Sequence, residues 1–409
     1  MSQATGILGQ MDAHARRRAI VGIYGTAFFS LSIVPMISIL VPLWAVQHLD
    51  ATPLWVGIAV GARSFMPLLF SIHGGALMDR LGTRRVMGWC AVITLILFPV
   101  YVIWDSMLGL IVLQLVIGLS QGLSWVGAQA LYGQMSRGSA AHAGRLTFFS
   151  NLGSFLGPFV AGFAADAAGV TGGFAAVSMW SVALCALTFM IPRKVDGASA
   201  KAPVRVEALL PRFDDYRRAA MLCLIPAVAL VLAFTFVRIA ISGMQSSFYV
   251  VYLASIDLTG TQIGLLVGCA NFIASPAALL TGPASRLMPG SWVMVWMTVL
   301  CVAFMTITPM FSSFWVLLAC SAIYGLGVGV GFPTLLSLLT LAVPVELQGM
   351  AAGLRTTANR AATLVIPVGM GALAEFWGIE ASFYVLGALL MGATLLLALL
   401  IRRGFGRVD

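Results

Sequence analysis

The chain is 409 residues long, 60% hydrophobic and only 9% charged, with a formal net charge of +9. That apolar share excludes a water-soluble globule. The basic balance calls for no nucleic-acid partner, because a positive inner surface facing anionic lipid accounts for it.

Residues 1–18 form a tail that ends on Arg16, Arg17 and Arg18. The apolar segment that follows, 19–47, is too long for a signal-peptide core and reads as a first span. Apolar windows bounded by charge or Pro/Gly clusters then place segments at about 53–78, 84–104, 107–135, 143–167 and 173–191. A polar, Pro- and Ala-rich stretch over 192–218 interrupts them, and further segments follow at about 219–254, 261–284, 291–311, 314–343, 347–376 and 380–402, with a tail over 403–409. Continuous apolar runs without period-two alternation imply helices rather than a barrel. The expected fold is an all-α polytopic membrane protein of twelve transmembrane helices, in two six-helix halves (19–191 and 219–402) joined by the 192–218 linker.

Apart from Arg63, Arg238 and Arg360, every Lys and Arg falls in a tail, in an even-to-odd link, or near Arg355. The opposite links carry Asp50, Asp105, Asp166, Asp257, Glu375 and Glu380 and no Lys or Arg. The positive-inside rule therefore places both termini and the linker in the cytoplasm. The compact loops suit a multi-pass protein of the bacterial inner membrane, and a monomer is expected. Six cysteines (Cys90, Cys185, Cys223, Cys269, Cys301, Cys320) lie in apolar segments, form no CxxC pair, and read as small hydrophobes, so no metal or other cofactor is expected.

The two halves resemble each other at a shift of 207 to 209 residues. Gly57, Gly61, Phe65 and Gly75 fall on Gly264, Gly268, Phe272 and Gly282, and Gly118 and Gly122 fall on Gly327 and Gly331. Gly144, Thr147, Pro158 and Gly162 fall on Gly353, Thr356, Pro367 and Gly371. Matching glycines imply matching close packing of helices. Duplicated halves imply a midplane site between them, reached by rocking one half against the other.

The link between the second and third segments reads Gly75-x-Leu77-x-Asp79-Arg80-x-Gly82-x-Arg84-Arg85. It resembles the loop motif of the major facilitator superfamily, and with twelve spans and two halves the resemblance covers essentially the whole chain. The resemblance implies a secondary transporter in which this cluster, Gly75, Asp79, Arg80, Gly82, Arg84 and Arg85, latches the cytoplasmic ends of the halves. The plain alternative is a solvated positive-inside loop. The second half carries Arg286 at the offset of Asp79, so the latch is expected on one side alone. Gly153-x-x-x-Gly157-Pro158-x-x-x-Gly162 resembles the signature of the superfamily's antiporters and exporters, with Ala161 in place of one glycine, which makes Gly157 and Pro158 gating candidates. A small-residue packing face explains the same spacing. Gly118 stands where many relatives carry an arginine linked to proton transfer, a departure from the drug/proton antiport pattern.

Three arginines lie deep in predicted spans, where each costs about 2.5–3.5 kcal/mol at midplane. No Asp or Glu is predicted at matching depth. Arg63, Arg238 and Arg360 are therefore either ties between helices or cavity-lining cations. Arg238, Ser242, Gln245, Tyr249 and Tyr252 form one helical stripe, and Thr356, Asn359, Arg360 and Thr363 another. Thr147, Ser150, Asn151 and Ser154 form a third, and Asn271, Ser275, Gln121 and Trp125 add polar or aromatic groups. The expected binding set is Arg63, Arg238, Arg360, Asn359, Gln245, Tyr249, Asn271, Asn151 and Trp125. Arg145 and Arg355 read as solvated or gate residues, and His73 as near the cytoplasmic end. Guanidinium groups without fixed carboxylates select a small carboxylate- or phosphate-bearing substrate, coupled by exchange or a substrate-borne proton. The alternative is a multidrug/proton antiporter, favoured by 20 Met and 10 Trp. No HExxH motif, GxSxG elbow or pair of catalytic acids points to an enzyme.

Overall fold

In hydrocarbon a backbone N–H has no water to bond, so each apolar segment closes its own hydrogen bonds as a helix. The computed structural model describes residues 12–136, 140–192, 221–343 and 347–405, and among them every regular element is helical. The first half of the chain supplies α1 (Ala13–Gln47), α2 (Pro53–Leu81), α3 (Thr83–Ile103), α4 (Met107–Ser136) and α5 (Ala140–Met190). The 51 residues of α5 are two lengths, because Ala168 and Gly169 leave helical geometry and Gly169 takes φ 69°. Sequence reasoning put a link here, and glycine lets the chain turn within two residues.

The second half supplies α6 (Pro226–Gln245), α7 (Phe248–Ser255), α8 (Gly260–Ala277), α9 (Thr281–Leu287), α10 (Gly290–Thr306), α11 (Phe314–Ala342), α12 (Gln348–Trp377) and α13 (Ile379–Arg402). The single segment expected over 219–254 is thus broken. Ser247 adopts φ −127°, ψ −92°, and both Ser246 and Ser247 donate their hydroxyls to the Gly243 carbonyl. Such side-chain bonds compete with the helical ladder. Beyond the break, α7 is buried from Phe248 to Leu253 and leans on α1.

Ten helices among the described residues are long and apolar enough to cross a membrane. One of them, Phe148–Met190, contains the bend at Gly169 and so counts twice. The 30-residue α12, interrupted by Arg355, Asn359 and Arg360, adds a further length. The architecture is consistent with twelve spans.

Contacts between the halves follow the repeat. A Cβ on Gly57 would stand 2.3 Å from the Pro367 carbonyl oxygen, one on Gly61 2.7 Å from that of Leu364, and one on Gly371 2.6 Å from that of Pro53. These join α2 to α12 in antiparallel fashion. Between α5 and α8 the equivalents are Gly264 at 2.3 Å from the Pro158 oxygen, Gly268 at 2.8 Å from that of Phe155, and Gly162 at 1.9 Å from that of Gly260. Every residue in one set is the repeat mate of a residue in the other. Both sets lie toward the face that carries Asp50, Asp166, Asp257 and Glu375, here the carboxylate-rich face.

The register within α4 and α11 differs from the expectation. Gly118 packs on the Arg63 carbonyl oxygen (Cβ distance 1.9 Å), and in the second half the same contact is made by Gly325 on Ala270 (2.4 Å). One turn on, a Cβ on Gly122 would meet the Pro67 side chain at 3.4 Å, and one on Gly329 the carbonyl oxygen of Ala274, the repeat mate of Pro67, at 2.3 Å. Gly118 and Gly122 therefore answer to Gly325 and Gly329, two residues away from Gly327 and Gly331. Alternate glycines at 325, 327, 329 and 331 make the slip invisible in sequence. The 1.9 Å approach also explains why position 118 holds no arginine: α2 and α4 leave no room there for any side chain.

Because no side chain fits between such backbones, Gly162→Ala is expected to lower the Tm of the purified protein by the equivalent of about 1–3 kcal/mol. Gly392→Ala, on α13 with nothing within 4 Å of the added methyl, is expected to be neutral or to gain up to about 1 kcal/mol from helix propensity. A thermal-unfolding series on the two variants checks both signs.

Candidate functional site

Where the paired helices part, a cavity of about 430 Å³ opens between the halves, lined by α1, α2, α4, α5, α6, α8, α11 and α12. Two cations line it, Arg63 from α2 and Arg360 from α12, and among the described residues no Asp or Glu does. The Nη1 of Arg63 donates to the Val34 carbonyl and to Ser38 Oγ, both at 3.3 Å. Arg63 is therefore a tie between α1 and α2 and a cavity cation at once. The Nε of Arg360 is buried with no hydrogen-bond partner among the described residues, as is the Nε2 of Gln245. The cavity thus carries a surplus of donors and positive charge.

Gln245, Asn271 and Trp125 also line the cavity, with Gln121, Ser154, Ser242 and Thr363 from the polar stripes. Asn271 donates Nδ2 to the Val267 carbonyl at 3.2 Å. Trp125 is 39% exposed and offers an open ring. Four residues of the expected binding set are placed elsewhere. Tyr249 is buried, its hydroxyl 2.9 Å from Ser321 Oγ, a tie within the second half. Asn151 donates Nδ2 to Ser275 Oγ at 2.7 Å, bridging α5 and α8. Asn359 is absent from the lining, and its carbonyl accepts from Thr363 Oγ1 at 3.0 Å. Arg238 stands one turn beyond Ser242, outside the cavity, over the ring of Phe332.

Lining residues that the sequence reading passed over are Ser30, Ser38, Ser64 and Tyr324. Ser30 and Ser38 lie two turns apart on one face of α1, a spacing that marks them in sequence. The Tyr324 hydroxyl reaches Ser242 Oγ at 3.2 Å; an isolated tyrosine among glycines gives no such signal.

Of the gating candidates, Gly157 packs on Ser32 of α1, where an added Cβ would stand 2.7 Å from the Ser32 carbonyl oxygen, and the Pro158 carbonyl is the surface that Gly264 meets. Gly82 turns the chain from α2 to α3 at φ 90°. Arg84 donates to the carbonyls of Phe189 (2.9 Å) and Ile191, docking a cation on the last turn of α5. Those contacts stay within the first half. Arg85 and Arg145 are exposed. The side chains of Asp79 and Arg80, with Gly75, His73 and Thr147, lie outside the described residues, and so does the latch they would form.

The carboxylate-rich face holds a pair of clamps that motif reasoning did not reach. Asp166, near the end of the first length of α5, accepts from the Gly260 N–H (2.6 Å), the Thr261 N–H (2.7 Å) and the Thr261 hydroxyl, capping α8. Its repeat mate Glu375, at the end of α12, accepts from the Leu54 N–H at 3.1 Å and caps α2. Each carboxylate sits at the positive end of a helix in the opposite half. Toward the other face, Gly353 of α12 and Gly282 of α9 have nothing among the described residues within 4 Å of a built Cβ.

Two repeat-related sets of helices, clamped at one face and enclosing a cavity lined by both halves, have the architecture of a membrane transporter built from structural repeats. The chain belongs to the major facilitator superfamily, whose family model matches residues 20–252 and 230–406. Among solved structures, a mutant of the nucleoside transporter NupG is similar over 94% of this chain and 99% of its own, with TM-score 0.80 and 12% identity. A POT family transporter in complex with a thioalcohol-conjugated peptide covers 94% and 96%, at TM-score 0.75 and 14% identity. A peptide transporter POT in complex with sulfate covers 94% and 94%, at 0.72 and 16%. No curated protein matches the sequence. At these identities the structures establish the fold alone.

Charge-assisted hydrogen bonds contribute about 1.5–3 kcal/mol each. Replacing both clamps (Asp166→Asn with Glu375→Gln) is expected to shift the population toward opening of the carboxylate-rich face by at least tenfold. Spin labels at Ala51 and Ser255, read as a distance distribution, check this by the growth of a longer-distance component.

Proposed function

We propose that this transporter carries a small organic anion, bearing a carboxylate or a phosphate, by alternating access. The observation that supports the reading most directly is the charge of the cavity: Arg63 and Arg360 line it, the Arg360 Nε is unpaired, and no described carboxylate faces either. A guanidinium offers a planar fork of donors that fits a carboxylate or phosphate bidentately. A substrate of that kind brings the missing counter-charge with it. The exposed ring of Trp125 provides a flat apolar surface for the rest of the molecule. With no acid among the described lining residues to hold a coupling proton, the reading favours exchange of one anion for another, or symport of a proton carried on the substrate.

In this reading residues 19–191 and 219–402 are the two moving halves, and the arginine-rich face is cytoplasmic by the positive-inside rule, as in a bacterial inner membrane. The cavity as described then faces the cytoplasm, with the clamps of Asp166 and Glu375 closing the outside. Both NupG and the POT transporters are, by their descriptions, carriers of nucleosides or peptides. The second reading is a multidrug/proton antiporter; Trp125 and the Gly157-Pro158 contact favour it, and the cationic lining opposes it.

A thermal-shift panel on the purified protein separates the two. Small carboxylates and phosphate esters are expected to raise Tm, and cationic dyes to leave it unchanged. Arg360→Gln is expected to weaken the anion response by tenfold or more in concentration, matching the loss of a charge-assisted pair. Stabilisation by cationic dyes, with no response to any anion, would overturn the anion reading.

A further inference from the structure

Three of the helices that line the cavity continue past it toward the arginine-rich face, and each carries one notable residue there. On α6 it is Arg238, one turn from the lining residue Ser242. On α11 it is Phe332, one turn from the lining residue Val328. On α12 it is Arg355, just over one turn from Arg360. The helices run so that all three steps point the same way. They converge: the Arg238 guanidinium carbon lies 5.2 Å from the centre of the Phe332 ring and that of Arg355 lies 5.9 Å from it.

The cluster is unbalanced. It holds two guanidiniums, and neither Arg238 nor Arg355 has an ion-pair partner among the described residues. The Nε of Arg238 and the Nε of Arg355 are both buried without a hydrogen-bond partner among the described residues. A ring face steadies a guanidinium plane but takes none of its N–H bonds. The ring therefore leaves the guanidinium N–H donors unmet, and an oxyanion is the kind of group that pairs with them. Phe332 is 39% exposed, so the ring of the cluster is not sealed in the core.

We infer that Arg238, Phe332 and Arg355 form a second anion site, one helical turn from the central cavity, which takes the substrate's carboxylate or phosphate as it passes between the Arg63–Arg360 pair and the arginine-rich face. This inference rests on the anion reading of the central cavity. The spacing of about one turn, roughly 5.4 Å, lets a charged group move from one pair of guanidiniums to the next without an intervening stretch of uncompensated hydrocarbon.

The test is equilibrium dialysis of the full-length protein in phospholipid-free non-ionic detergent, with radiolabelled inorganic phosphate and benzoate as probes. Wild type is expected to bind close to two anions per chain. Arg63→Gln with Arg360→Gln is expected to keep one, and adding Arg355→Gln to remove it. Phe332→Leu keeps the apolar volume and should weaken the second equivalent by about tenfold; it provides the same readout if the arginine variant does not fold. A wild type that binds a single anion, lost wholly with Arg63 and Arg360, overturns the second site and leaves the central one standing. A single anion lost with Arg355 and retained without Arg63 and Arg360 does the reverse. No binding of either probe overturns both. Repeating the assay in nanodiscs of anionic phospholipid identifies the source of the oxyanion: retention of the second equivalent supports a soluble substrate, and its loss assigns the site to lipid headgroups and overturns the transport role.

Discussion

The spacing of this protein is set by glycine meeting backbone carbonyl across the two halves of the chain. Gly57 and Gly61 on α2 and Gly264 and Gly268 on α8 leave no room for a side chain, so α2 lies against α12 and α8 against α5 at backbone contact. In a bilayer such close approach is a main source of helix association, since lipid tails are as apolar as the side chains they would replace. The cavity begins where these contacts end. Its depth, its position between the halves and the closure of one face all follow from where along four helices the glycines stand.

The repeat that builds the scaffold does not extend to its charge. Arg63 has Ala270 as its mate and Arg360 has Asn151, so symmetry of packing coexists with asymmetry of chemistry. Asn151 illustrates the division. It occupies the place of a cation in the other half, and there it makes a hydrogen bond across the interface to Ser275. One copy of the position holds the halves together, and its mate lines the cavity. The carboxylates divide in the opposite way. Asp166 and Glu375 are repeat mates that kept the same chemistry, and both cap a helix of the other half.

Much of this was legible in the sequence. Span count, the duplicated halves, and the family resemblance of the Gly75–Arg85 stretch all rest on long runs or several residues in register, which chance rarely supplies. Of the three deep arginines without acids at their depth, which sequence reads either as helix ties or as cavity cations, Arg63 and Arg360 line the cavity and Arg238 does not. What failed was position along and around a helix. The stripe from Arg238 to Tyr252 has the right angular spacing, yet it spans more than three turns, and only Ser242 and Gln245 in its middle reach the cavity. The break at Ser247 rotates Tyr249 into the core, where its hydroxyl meets Ser321. Periodicity reports a face and not a depth. In sequence Asp166 and Glu375 mark orientation alone, because the helix starts they cap lie 94 and 321 residues away in the chain.

The interruption between α6 and α7 has a mechanical consequence. A continuous helix would transmit any tilt at the cavity to its far rim as a rigid lever. With the ladder broken at Ser247, two residues after Gln245, the short α7 is jointed to its parent and rests against α1, a helix of the other half. The rim piece can stay seated on one partner if its own half swings away, so an opening at the carboxylate-rich face need not widen in step with one at the opposite face.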